Sequence, residues 1–323
     1  MIVEIRGLTV RYGPEGSGVR AVDHVSLDVD EGILYGIVGE SGSGKSTIAM
    51  AMMGLLPHGA SVEGGSISID GFEVTGRKES QLASFRGRTA SLVFQGAMNN
   101  LNPLMRIEDQ VAETLLLHRM CGRKEALERA RRSLELVGLG KQVWRLYPHE
   151  LSGGMKQRAM IAAAVVAEPR VLIADEPTTA LDVITQVQIV NLLRQLREKL
   201  GMTVILISHD FPLVSEASDR ICILYGGKVC EVGSNSHIVR KPLHPYTAGL
   251  LNSVVSLRER REIMTIPGEP VDLSRPPKGC RFMPRCGSAM EKCSLYAYDS
   301  YSPEPGRLVY CEMYSGPDGN TEA

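Results

Sequence analysis

The chain has 323 residues, 36 Lys and Arg against 37 Asp and Glu, and a net charge of −1, with 43% hydrophobic and 23% charged residues. These values describe a soluble globular chain of one large domain or two, with core enough of its own, and they exclude the basic excess of a dedicated nucleic-acid binder. Apolar runs such as Met160 to Ala167 are far too short to span a bilayer, and the opening MIVEIRGLTV, with Glu4, lacks the layout of a signal peptide, so a cytoplasmic protein is expected.

Strand-like and helix-like segments alternate through the first 240 residues, which predicts an α/β architecture. Leu34 to Gly39 reads as a buried strand that runs straight into GESGSGKST (Gly39 to Thr47) and then a helical stretch. From about Arg106 to Pro148 the texture is helical, with RKEALERARRSLELVGL at its centre and no strand candidate nearby. LSGGMKQR (Leu151 to Arg158) opens an apolar helix with Ser152 as its N-cap. A second buried strand, Val171 to Ala174, ends on Asp175 and Glu176. Val183, Val187, Val190, Leu193, Leu196 and Leu200 recur every three or four residues and predict an amphipathic helix. The strand Thr203 to Ser208 ends at His209, and Pro245 sits at the first position of a further helix, HPYTAGLL. A proline-rich extended stretch and a cysteine-bearing segment follow, and residues 316–323 are expected to be a disordered tail.

The glycine-rich segment fits the phosphate-binding pattern G-x-x-x-x-G-K-S. Gly39, Gly42 and Gly44 allow the tight turn through Ser41 and Ser43 that aims successive N–H groups at phosphate oxygens. Lys45 then supplies a positive charge, and Ser46, beside Thr47, a hydroxyl for Mg²⁺. Two acids at the end of a buried strand are costly without a cation nearby. Asp175 is therefore expected to reach the Mg²⁺ shell and Glu176 to polarise an attacking water. Ser152, Gly153 and Gly154 at a helix start form a second anion site. Two such elements in one chain make sense if two chains sandwich nucleotide between them.

With LSGGMKQR lying between that loop and VLIADEP, the sequence resembles the ATP-binding subunits of ATP-binding-cassette transporters over nearly its whole length. The resemblance implies a P-loop nucleotide-hydrolase core with an inserted helical subdomain (about 100–160) within residues 1–240, then a small C-terminal cysteine-bearing module (241–315). It implies that Tyr12 stacks on adenine and that Gln95 senses the γ-phosphate, shares Mg²⁺ with Ser46 and Asp175, and couples to membrane subunits. Glu176, His209, Gln95 and Lys45 become the catalytic set, with His209 as the switch histidine. Ser152, Gly153 and Gly154 would serve the nucleotide of a second ATPase subunit, which Ala180, Leu181 and Asp182 contact. HPYTAGLL and IPGEPVDLSRPPKGCRFMPRC are similar to the tail of oligopeptide/dipeptide-type import ATPases, a group that includes nickel and oligosaccharide importers. Two transmembrane permease subunits, an external solute-binding protein and a place on the cytoplasmic face of the membrane are then expected. Where the family carries Asp-Pro after the glutamine, this chain has Gly96 and Ala97. Two rival readings are a redox- or iron-sensing regulator, suggested only by the cysteine-bearing module, and a soluble cassette ATPase acting on nucleic acid or ribosomes. The chain has neither the second cassette nor the long coiled coil common in that class.

Of seven cysteines, Cys121, Cys222 and Cys230 are scattered, whereas Cys280, Cys286, Cys293 and Cys311 are confined to the tail. Disulfides are not expected in a reducing compartment, which leaves zinc, an iron–sulfur cluster or no metal. The resemblance implies a 4Fe–4S cluster on these four thiols. Such a cluster would replace the core that so small and proline-rich a module lacks, with no path into hydrolysis.

Overall fold

The computed structural model describes residues 1–14, 18–96, 100–253 and 266–315; Ala97 and the 316–323 tail, on which two expectations bear, lie outside the described residues. Among these are two sheets. The smaller is antiparallel, in the order β2 (Val19–Val29), β1 (Val3–Tyr12), β4 (Ala60–Ile69) and β5 (Phe72–Glu73). The larger runs β11 (Leu308–Val309), β10 (Lys228–Ser234), β9 (Arg220–Tyr225), β3 (Leu34–Val38), β8 (Thr203–Ser208), β7 (Val171–Asp175) and β6 (Ala90–Val93). Its strands are parallel from β9 to β6, while β10 and β11 extend the edge antiparallel.

The apolar strands work because both faces of the larger sheet are covered. Leu34 and Val38 of β3, Leu172 and Ala174 of β7, and Val204 and Leu206 of β8 point into one core. The alternate residues Tyr35, Ile37, Val171, Ile173, Ile205 and Ile207 point into the other, shared with the antiparallel sheet and α1 (Lys45–Met52). A strand buried on both sides reads as a continuous apolar run, which is the pattern in the sequence. Gly36 completes the first face: a Cβ there would run into Val214 and Ser218, at and just after α8 (Phe211–Ala217).

Between β6 and β7 the chain is helical, with α3 (Ile107–Leu117), α4 (Arg123–Leu136), α5 (Lys141–Trp144) and α6 (Gly153–Val165). Helix α4 buries Ala126, Ala130, Ser133 and Leu134 along one stripe, and the Ser133 hydroxyl donates to the Ala162 carbonyl at 2.8 Å. Helix α7 (Val183–Leu200) and strand β8 keep the predicted bounds; β3 stops one residue short and β7 runs one further, to Asp175. No helix of the described residues is long and apolar enough to cross a membrane.

Among the described residues the tail has no core of its own. It completes the core of the preceding residues. Tyr246, in α10 (Pro245–Asn252), and Phe282 pack on Tyr225 at the end of β9, with ring centroids 4.7 and 5.2 Å away. Strand β11 pairs with β10 through Glu231↔Val309 and Val232↔Leu308. Beside it Arg307, with its side chain 1% exposed, meets Glu231, fully buried, at 2.6 Å.

Candidate functional site

The loop between β3 and α1 is shaped by its glycines. Gly42 and Gly44 have φ of 78° and 96°, and a Cβ on Gly39 would collide with the Leu224 carbonyl. The helix starts at Lys45 with Gly44 as its N-cap, so its free N–H groups and positive end face the loop. Lys45 is 5% exposed and donates through Nζ to the carbonyls of Gly39 at 2.7 Å and Glu40 at 2.9 Å. Ser46 Oγ donates to Asp175 Oδ1 at 3.1 Å, across from the end of β7, and Tyr12 Oη lies 3.1 Å from Thr47 Oγ1.

Glu176 follows directly, 6% exposed and at φ 48°, a left-handed conformation that a glutamate adopts only when held there. Its N–H donates to the Ile207 carbonyl at 2.9 Å, which locks the turn to β8. Its Oε1 accepts from His209 Nδ1 at 2.9 Å and its Oε2 from the Thr179 hydroxyl at 3.4 Å. A carboxylate oxygen accepts, so Nδ1 carries the ring proton.

Ser41 to Thr47, Gln95, Glu176 and His209 line one cleft of about 420 Å³, together with Ala21 and Thr179. Each predicted group arrives at the C-terminal end of a parallel strand, after β3, β6, β7 and β8 respectively, which is where open α/β sheets bind ligands. Burial lifts the Asp175 carboxyl to about 6, and the adjacent Glu176 adds to this against the Ser46 hydroxyl; burial also pushes Lys45 down against the pull of Glu176 and Asp175. The hydroxyl of Ser46, the carboxylate of Asp175 and the amide oxygen of Gln95 fit a hard divalent cation such as Mg²⁺, whose charge would offset what burial denies Asp175.

Ser152, Gly153 and Gly154 stand elsewhere. Ser152 caps α6 by accepting from the Met155 N–H at 3.3 Å, and neither it nor the glycines line the cleft. Ser152 and Gly153 are exposed, whereas Gly154 packs so close to the start of α7 that a Cβ would lie 2.8 Å from Thr185. Ala180 and Asp182 are also exposed, Leu181 is half-buried, and Asp182 caps α7 through the Thr185 N–H at 3.0 Å.

Cys280, Cys286, Cys293 and Cys311 fall in one neighbourhood, in which nearby thiols add to the raised pKa of Cys280, Cys286 and Cys311. Burial raises the Cys280 and Cys286 thiols and pushes Cys311 up to about 12. Yet among the described residues no three His, Cys, Asp or Glu side chains stand in an arrangement that could hold a metal ion. The thiols gather without adopting a ligand geometry, so the expected 4Fe–4S site does not fit these positions as they stand. The sequence reading missed Thr179 as a partner of Glu176, although it lies inside TTALD, and missed the residues behind the loop altogether. Those come from more than 200 positions away, where no local signal reaches.

Residues 22–179 match the family model of the ABC transporter, and residues 230–293 that of the oligopeptide/dipeptide transporter C-terminal region. The oligopeptide transport ATP-binding protein OppD of Salmonella typhimurium is 42% identical over 96% of this chain and 93% of its own length. The dipeptide transport ATP-binding protein DppD of Bacillus subtilis is also 42% identical, over 90% of this chain and 88% of its own. Among solved structures, the dimeric ATP-binding cassette MJ0796 in a post-hydrolysis state bound to ADP and Pi superposes with a TM-score of 0.65. It is 30% identical and covers 72% of this chain and 98% of its own.

Proposed function

The chain belongs to the ATP-binding-cassette transporter ATPases, in the oligopeptide/dipeptide group, and from that premise we propose that it hydrolyses ATP to drive import of di- or oligopeptides through partner membrane subunits. The observation that carries this reading is the single cleft in which Ser41 to Thr47, Gln95, Glu176 and His209 meet from four separate segments. In this reading Gly39 and Ser41 to Thr47 bind the triphosphate and Lys45 neutralises its outer oxygens. Tyr12, tied to Thr47, takes the adenine. Ser46, Asp175 and Gln95 would hold Mg²⁺, which would supply positive charge to the phosphates. Glu176 accepts a proton from the attacking water, and His209, donating to Glu176, orients that carboxylate.

The exposed start of α6 supports a composite site, with Ser152, Gly153 and Gly154 closing on nucleotide held by a second ATPase subunit and Ala180, Leu181 and Asp182 at the seam. A groove of about 670 Å³ beside Leu104, Met105 and Tyr147, with Leu104 85% and Leu117 74% exposed, supports contact with two permease subunits. That contact would put the chain on the cytoplasmic face of the membrane, with an external binding protein across it. We divide the chain at about residue 240, into the cassette and a C-terminal module (241–315). The iron–sulfur reading rests on the cysteine pattern alone and would require the four thiols to leave the positions described above, and no step depends on it. Iron and sulfide content of anaerobically purified protein decides it.

The test of function is Glu176→Gln in the assembled transporter. The amide keeps shape but cannot take a proton, so turnover falls by ~100-fold or more while MgATP still binds. Phosphate release at the wild-type rate would remove Glu176 from the reaction.

A further inference from the structure

The cysteine-bearing segment reaches the phosphate-binding loop from behind. Arg285, immediately before Cys286, donates through Nη1 to Glu40 Oε2 at 2.7 Å and through Nε to the Pro267 carbonyl at 2.8 Å. Its guanidinium carbon lies 5.7 Å from the centre of the Tyr225 ring. Arg281, immediately after Cys280, donates to the Gly226 carbonyl and, through Nη2, to Asp23 Oδ2 at 2.6 Å. The adjoining Gly227 N–H donates to the Ser43 carbonyl at 3.0 Å. Both arginine side chains are only 6% exposed.

Glu40 is where these contacts converge. Its side chain accepts from Arg285, its N–H donates to Tyr246 Oη at 3.0 Å, and its carbonyl accepts from Lys45 Nζ at 2.9 Å. One residue of the loop therefore joins the tail on one side to the phosphate-facing lysine on the other. Glu40 does not line the nucleotide cleft, so its side chain is free for this second task. An arginine stays charged, and burying it this deeply requires partners that fix its position and theirs.

We propose that Arg285, with Arg281 as a second anchor, is a positioning residue for the phosphate-binding loop: Arg285 holds Glu40 and Arg281, through the Gly226–Gly227 turn, holds Ser43, so that the loop is set for a nucleoside triphosphate only while the C-terminal segment is docked. The inference rests on the reading that Gly39 and Ser41 to Thr47 bind ATP. It also gives the tail a path to the nucleotide, where the sequence reading expected none. Preorganisation of a loop appears in the binding constant, because a slack loop must be ordered when the ligand arrives.

The experiment uses the full-length chain in its assembled transporter, with MgATP binding measured by calorimetry in a Glu176→Gln background and turnover measured with Glu176 intact. Arg285→Met and Glu40→Gln should each raise the Kd and KM for MgATP by about fivefold to tenfold and leave kcat within about twofold. The double variant should be no weaker than the worse single, because both remove one interaction, and Arg285→Lys should recover part of the affinity. A purely structural pair would lower the melting temperature and leave Kd unchanged. Wild-type Kd in both singles, or a double variant whose losses multiply, overturns the proposal. Should Arg285→Met fail to fold, Arg285→Lys and Glu40→Gln carry the same reading. Lys45→Ala without effect on MgATP binding would instead overturn the phosphate-site reading itself.

Discussion

His244 shows how much one buried side chain dictates. It is 2% exposed, Nδ1 accepts the Tyr246 N–H at 3.0 Å, and its own N–H donates to Glu231 Oε2 at 3.0 Å. Burial lowers its pKa from 6.5 to about 3. The unfolded chain therefore takes up a proton below about pH 6.5 that the folded chain refuses, so this contribution is complete above that pH and is lost as pH falls towards 3. Between pH 7.5 and 5.5 the loss is on the order of 1 kcal/mol. Denaturant titrations of wild type and His244→Asn, which keeps a cap acceptor without a titrating ring, should differ in pH slope by that amount. Equal slopes would mean that the ring accepts a proton in the folded chain.

At the scale of elements, β11 joins the main sheet by two residues, far too few to hold by themselves. Beside it an ion pair ties three segments together. Arg307 donates to Glu231 Oε1 at 2.6 and 3.1 Å and also to the Lys241 carbonyl, while Glu231 Oε2 takes the N–H groups of Leu243 and His244. Strand β10, the chain entering α10 and the residue before β11 meet on one carboxylate. Removing one partner of a fully buried pair leaves the other charge stranded, so Arg307→Met should cost about 3–5 kcal/mol and make the segment after Leu243 sensitive to protease. A loss below 1 kcal/mol in urea unfolding would show that the aromatic packing of Tyr225, Tyr246 and Phe282 is sufficient.

For the whole molecule, the separation of α6's start from the cleft is the feature with consequences. Ser152→Arg should leave MgATP binding at this chain's own loop within about twofold and abolish ATP-driven association with the partner ATPase, because a bulky cation at the helix start obstructs a docking phosphate. Light scattering on Glu176→Gln chains with MgATP reads that association directly; closure at the wild-type ATP concentration would sink the composite arrangement. The phosphate-binding loop, the acidic strand end and the main parallel strands are legible in the chain because their chemistry is contiguous: nine residues from Gly39 to Thr47 contain the turn, the lysine and the hydroxyls, and a strand buried on both faces is apolar throughout. The antiparallel sheet is less legible, since β4 alternates with glycines and exposed residues that mimic a loop. Only the tertiary structure brings Arg285 to Glu40 across 245 residues, Arg281 to Asp23 across 258, and Arg307 to Glu231. Local sequence records what a residue needs, here a buried cation needing an anion, but which distant carboxylate answers it is decided only when the two cores close and bring the segments together.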